Sequence, residues 1–148
     1  MQSEAKPVAP GMLQASLDVR VVVGRLRRRI LQVTDGEDLT PSQSSVLMRV
    51  SRGDAVTAAA LADAEHVRQQ SMAVTLSSLQ RLGLIHRTPD PADGRRQIVE
   101  LTPAGRERAE GARQAGVEWL ARALEEQYDD AERHTISEAM RLLGRLTN

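Results

Sequence analysis

From Met12 onward, apolar residues recur every three or four positions. Leu13, Leu17, Val21, Gly24 and Leu31 fall on one side of a helix, and Val19, Val22, Val23, Leu26, Ile30 and Val33 centre near the opposite side. A helix that is apolar on two opposed faces is packed on both. In a chain of 148 residues, the second side is expected to meet another chain. The preceding residues 1–11, with Pro7 and Pro10 and no periodicity, read as a flexible tail. The run Thr34-Asp35-Gly36-Glu37-Asp38 breaks the helix.

Thr40-Pro41-Ser42-Gln43 is then a strong helix start, with Thr at the N-cap, Pro at the first helical position and Gln placed to close a capping box. Val46, Leu47 and Val50 form its apolar face, and Gly53 ends it. Thr57 caps a short helix whose inner face is Ala58, Leu61 and Ala62. After a break at His66-Val67, a helix over 68–82 buries Met72, Thr75, Leu76 and Leu79, and Gly83 follows as its C-terminal glycine. The period then drops to two: Leu84–Thr88 and Gln97–Leu101 are short strands around the polar, turn-rich loop 89–96. Thr102-Pro103 opens another helix, along which Ala109, Ala112, Gly116, Trp119 and Ala123 form a coiled-coil-like seam of mostly small residues. A final helix uses Ile136, Met140, Leu143 and Leu146.

Composition narrows the chemistry. There is no Cys and no Phe, with one Trp and one Tyr, so disulfides, thiol nucleophiles, Cys-ligated metals and cysteine redox sensing are excluded. A core of small aliphatics with so few rings is thin for a monomer. Segments G-x-S-x-G, P-loop and dinucleotide glycine patterns are lacking, and His66, His86 and His134 stand apart. No enzyme, metal site or cofactor is therefore expected. Without a membrane-spanning run or a signal-peptide pattern, a cytoplasmic protein is expected. Net charge is zero but unevenly spread: residues 66–96 hold five arginines against two aspartates, whereas 117–138 hold seven acids against two arginines.

Two short helices joined by a tight break and followed by an arginine-bearing hairpin make a winged helix-turn-helix, mainly α with a small β-hairpin wing. In that architecture the second helix enters the major groove and offers the side chains of its first turns to base edges. Here those are Arg68, Gln69, Gln70, Ser71 and Val74. The hairpin tip, with Asp93, Arg95 and Arg96, reaches the neighbouring minor groove, whose negative potential favours arginine. Arg81 and Arg87 are equally suited to phosphate or to a structural acid such as Asp63.

The run Gly83-Leu84-Ile85-His86-Arg87, then Asp90-Pro91-Ala92-Asp93-Gly94-Arg95, then Val99-Glu100-Leu101-Thr102-Pro103-Ala104-Gly105 resembles the wing signature of the MarR family of transcriptional regulators. Upstream, Leu39-Thr40-Pro41-Ser42-Gln43 and Leu61-Ala62 match the family's L-T-x-x-Q and L-A positions, so the resemblance spans nearly the whole chain. It implies a homodimer on double-stranded DNA with an inverted-repeat operator, in which Arg95 enters the minor groove and Asp93, with Asp90, orients its guanidinium. The chain would then divide into the tail, a dimerisation helix over 12–36, a DNA-binding lobe over 37–101 and C-terminal dimerisation helices over 102–148. Ala92 and Val74 depart from the family, standing where many members carry basic residues.

The resemblance further implies a repressor relieved by a small aromatic or phenolic effector, held between the dimerisation helices and the lobe. Arg25, Arg28, Arg49 and Trp119 are candidate contacts for it. A second reading of the same residues is a winged-helix dimer that has lost DNA binding and serves as a ligand-binding or protein-interaction module.

Overall fold

The computed structural model describes residues 7–34, 38–53 and 56–147. Eight elements follow one another: α1 (Pro10–Thr34), α2 (Pro41–Arg52), α3 (Ala58–Ala64), α4 (Gln69–Arg81), β1 (Ile85–Pro89), β2 (Gln97–Leu101), α5 (Pro103–Gln127) and α6 (Asp130–Gly144). The first helix begins two residues before the apolar period does, because Pro10 has a backbone angle suited to a first helical turn and no N–H to satisfy there. Residues 1–6 of the expected tail, and residues 35–37 of the expected break, lie outside the described residues.

Local signals define the ends. Thr40 accepts a hydrogen bond from the Gln43 N–H, and the Gln43 side chain accepts one from the Thr40 N–H, so the capping box is closed. Gly53, at φ 73°, takes the left-handed conformation that ends α2. Thr57 and Thr102 cap α3 and α5 through the N–H groups of Ala60 and Gly105. Asp129 and Glu132 make a second capping box at α6.

The two strands pair antiparallel, with Ile85 opposite Leu101 and Pro89 opposite Gln97. Val99 and Leu101 point inward, as the alternation requires. A further bridge joins Thr57 to Ile98, and the Val99 N–H donates to the Val56 carbonyl at 2.7 Å, so the chain entering α3 runs along the wing as a third short edge. Leu47, Leu61, Met72, Leu76, Leu79, Ile85 and Val99 are nearly inaccessible to solvent, and Ala109 of α5 closes the same core.

The end of the wing is fastened by backbone contact. The Thr102 N–H donates to the Leu84 carbonyl at 3.0 Å, and a Cβ at Gly105 would run into that carbonyl. This explains the Thr and Gly of the L-T-x-x-G segment: one caps α5, and the other lets α5 lie directly on the strand entry. The small-residue seam of α5 turns toward α1 of the same chain. A Cβ on Gly116 would come within 2.9 Å of the Ile30 side chain, and the Arg29 guanidinium lies 5.9 Å from the Trp119 ring centre. No helix is long and apolar enough to cross a membrane among the described residues.

Candidate nucleic-acid interface

Helix α4 is built with two unlike sides. Met72, Leu76 and Leu79 are buried in the lobe, while Arg68, Gln69, Gln70, Ser71 and Val74 are exposed. Arg68 takes the N-cap position with no side-chain hydrogen bond to the helix. The first-turn N–H groups are therefore left without a side-chain cap, and an uncapped helix start carries partial positive charge. Val74 is 70 % exposed, an apolar side chain standing on the outer face; such a group suits contact with a thymine methyl rather than with phosphate.

Three hydrogen bonds hold α4 from behind. Gln43, having closed the α2 cap, donates from its side-chain amide to Ser78 at 2.8 Å. The Arg87 side chain donates to Gln80 at 2.8 Å and to Ser77 at 3.4 Å. Arg87 is thus a brace between β1 and α4, and neither it nor Arg81 pairs with Asp63 among the described residues.

At the wing tip, the two aspartates do something other than expected. The Asp90 carboxylate accepts from the Ala92 N–H at 2.9 Å, and the Asp93 carboxylate accepts from the Arg95 N–H at 3.1 Å. The backbone closes around them, with the Asp90 N–H donating to the Arg96 carbonyl and the Arg96 N–H to the Asp93 carbonyl, each at 2.9 Å. These are Asx turns: the carboxylates shape the loop, and no ion pair to the Arg95 guanidinium forms among the described residues. The geometric reason is the spacing, since an Asp side chain two residues before an N–H reaches it more easily than it reaches the end of a long arginine.

Gln69 of α4 and Arg95 and Arg96 of the wing border one cavity of about 150 Å³, floored by Thr57 and Ala58 at the start of α3. Ser71 looks the other way, into a cavity between α2 and α4. The fold therefore brings Gln69 of the helix start to the wing arginines, and leaves Asp93 as a shaper of the tip.

Of the candidate effector contacts, Arg49 is already engaged with Glu65 and with the Ala64 carbonyl, and Trp119 stacks under Arg29. Arg28 lines a cavity of about 290 Å³ between α1 and α2. Arg25 is exposed on α1. Glu65 and Arg27 were not readable as a pair from sequence, because they are far apart in the chain and no short motif joins them.

A helix-turn-helix with an open polar helix start beside an arginine-tipped hairpin is a DNA-binding architecture of the winged-helix class. Residues 37–96 match the sequence model of the MarR family. An HTH-type transcriptional regulator of Mycobacterium bovis is 36% identical over 107 residues, covering 72% of this chain and 75% of that protein. Among solved structures, a transcriptional regulator from Pseudomonas aeruginosa is similar with a TM-score of 0.77 and 33% identity, over 95% of this chain and 97% of that one. A mutant of MarR from E. coli shares the fold, with a TM-score of 0.72 at 22% identity over 94% and 98% of the two chains. The chain belongs to the MarR family of DNA-binding transcriptional regulators, a non-enzymatic class.

Proposed function

We propose that the protein acts as a homodimer on an inverted-repeat operator, represses transcription there, and is released by a small aromatic or phenolic ligand. The observation that carries this reading is a division of surfaces. The exposed start of α4 (Arg68, Gln69, Gln70) and the wing arginines Arg95 and Arg96 lie on the lobe's exposed side, with Ser71 one step round the helix toward α2, while the apolar residues of α1 and α6 lie bare at its flanks. Base edges are read by the first group, with Gln70 paired to adenine and Val74 against a methyl; Arg95 serves the minor groove. Asp93 acts on this interface by fixing the tip. Bare flanking helices supply the two-fold contact that sets half-site spacing.

The ligand has room between α1 and the rest of the chain. Besides the cavity at Arg28, a second of about 180 Å³ is lined by Ile30, Thr34, Met48, Gly116 and Leu120. The second is largely apolar in wall, in keeping with a single aromatic ring, while the first adds the charges of Arg27, Arg28 and Glu65.

Fluorescence anisotropy on the DNA upstream of its own gene, against scrambled DNA at several salt concentrations, tests the proposal. Selective binding whose log K falls steeply with log salt is expected, since phosphate contacts release counterions. Arg95→Ala should weaken binding more than about tenfold, roughly 1.4 kcal/mol, without changing the oligomer. Binding that ignores both salt and sequence would favour the module without DNA binding instead.

A further inference from the structure

The α3–α4 turn is unusual in its backbone and in what grips it. His66 takes φ 55°, a left-handed conformation normally given to glycine. Its N–H donates to the Asp63 carbonyl at 3.1 Å, and the Val67 N–H donates to the Ala62 carbonyl at 3.0 Å, a compact reversal that launches α4. Immediately before it sits Glu65, whose side chain is only 15% exposed. One carboxylate oxygen accepts from Ser45 at 2.8 Å, and the other accepts from the Arg49 guanidinium. Arg49 also donates to the Ala64 carbonyl at 3.0 Å, so α2 holds both the side chain and the backbone of the turn. Arg27 of α1 completes the cluster, donating to Ser45 at 2.7 Å with its guanidinium 3.5 Å from Glu65.

We infer that Glu65 is a positioning residue: through Ser45, Arg49 and Arg27 it ties the turn that launches α4 to α1, so that a shift of α1 against the lobe is passed to the DNA-reading helix. Charge explains why the tie is tight. A largely buried carboxylate satisfied by one hydroxyl and one guanidinium, with a second guanidinium nearby, has no better partner in solvent than the ones it holds. Position explains why it matters. Arg27 lies on the helix proposed to contact the second subunit, and Glu65 lies four residues before Gln69, so the cluster joins that helix to the turn from which the base-reading side chains start. The proposed role in operator spacing rests on the dimeric DNA-binding reading; the mechanical tie does not.

The test uses the full-length protein. Arg27 is 45% exposed, so Arg27→Gln removes the α1 end of the tie without opening a cavity. Amide hydrogen exchange should accelerate about tenfold at residues 66–72 and stay unchanged at the α2 core, with Arg27→Lys restoring slow exchange. Unchanged exchange at 66–72, or a uniform acceleration across the chain, would overturn the tie. On operators with varied half-site spacing, Arg27→Gln should bind the optimal spacer more weakly, by about tenfold, and distinguish spacers less than wild type does. An equal loss on every spacer would overturn the positioning role. If wild type selects no DNA at all, the functional reading fails while the exchange experiment still decides the tie.

Discussion

The lobe from α2 to β2 and the helices that flank it are made by the same local rules and reach opposite ends. Every buried apolar side chain among the described residues lies between Leu39 and Ala109. Helices α1 and α6 bury none. Leu13, Leu17 and Val22 of α1 are 57%, 58% and 59% exposed, and Met140 of α6 is 55% exposed. Yet α6 has a complete capping box and α1 is 25 residues long, so both have what a helix needs locally. Caps and propensity define where a helix starts and stops. They do not by themselves hold it in water, where most helical stability comes from packing of an apolar face. The lobe buries a core of its own, closed by Ala109 of α5, whereas α1 and α6 carry an apolar surface that we propose a second copy of the chain covers.

Breaking the closed half should cost most. Leu76 is fully buried on the inner side of α4, and Leu76→Ala should remove about 2–5 kcal/mol of stability, read from urea unfolding followed by circular dichroism. A loss near zero would mean that the lobe core is not the cooperative unit. Gly105→Ala comes next, at about 1–3 kcal/mol, because its new methyl meets the Leu84 carbonyl, and neither backbone can easily yield. Its wing should loosen as well, so DNA affinity should fall with stability rather than independently of it.

The open half gives a sharper contrast. On a helix that stays uncovered, Leu17→Asp would change stability by no more than about 0.5 kcal/mol. Under the dimeric reading, the apparent stability of wild type rises by about 1.4 kcal/mol for each tenfold increase in protein concentration, and Leu17→Asp abolishes that dependence. Sedimentation velocity should show the variant as a monomer. A concentration-independent wild type would mean that α1 and α6 remain bare in solution, and the comparison would lose its explanation.

The sequence was most legible where structure is made locally. The capping box at Thr40 and Gln43, the Thr57 and Thr102 caps, Gly83 after α4 and the strand alternation at Val99 and Leu101 all follow from spacing over a few residues. Pairings across the chain were not legible. That Gln43 would reach Ser78, or that Arg87 would brace α4 through Gln80, depends on where whole elements pack, which no short window encodes. The exposed group Arg68, Gln69 and Gln70 could be named because helix phase separates it from Met72 and Leu76. The closeness of Gln69 to Arg95 and Arg96 could be argued only from the order of elements. Asp93 was placed at the right loop and given the wrong partner, since a short carboxylate serves the nearest N–H first.

The smallest effect expected is on pH, and it tests the seam between the two halves. Burial opposes ionisation of the Glu65 carboxyl, but hydrogen bonds from Arg49 and Ser45 and the charges of Arg49 and Arg27 outweigh it, holding its pKa below the ordinary 4.5. A lowered folded-state pKa means that the unfolded chain binds more protons as the pH falls past 4.5, so this contribution is fully present above that pH and lost through the folded pKa below it. Glu65→Gln cannot titrate, and its stability deficit relative to wild type should therefore be largest near neutrality and shrink in acid. A deficit that stays constant with pH would mean that the carboxylate's charge contributes nothing to holding α1, α2 and the α3–α4 turn together. In that case only the shape of the side chain would join the open half to the closed one.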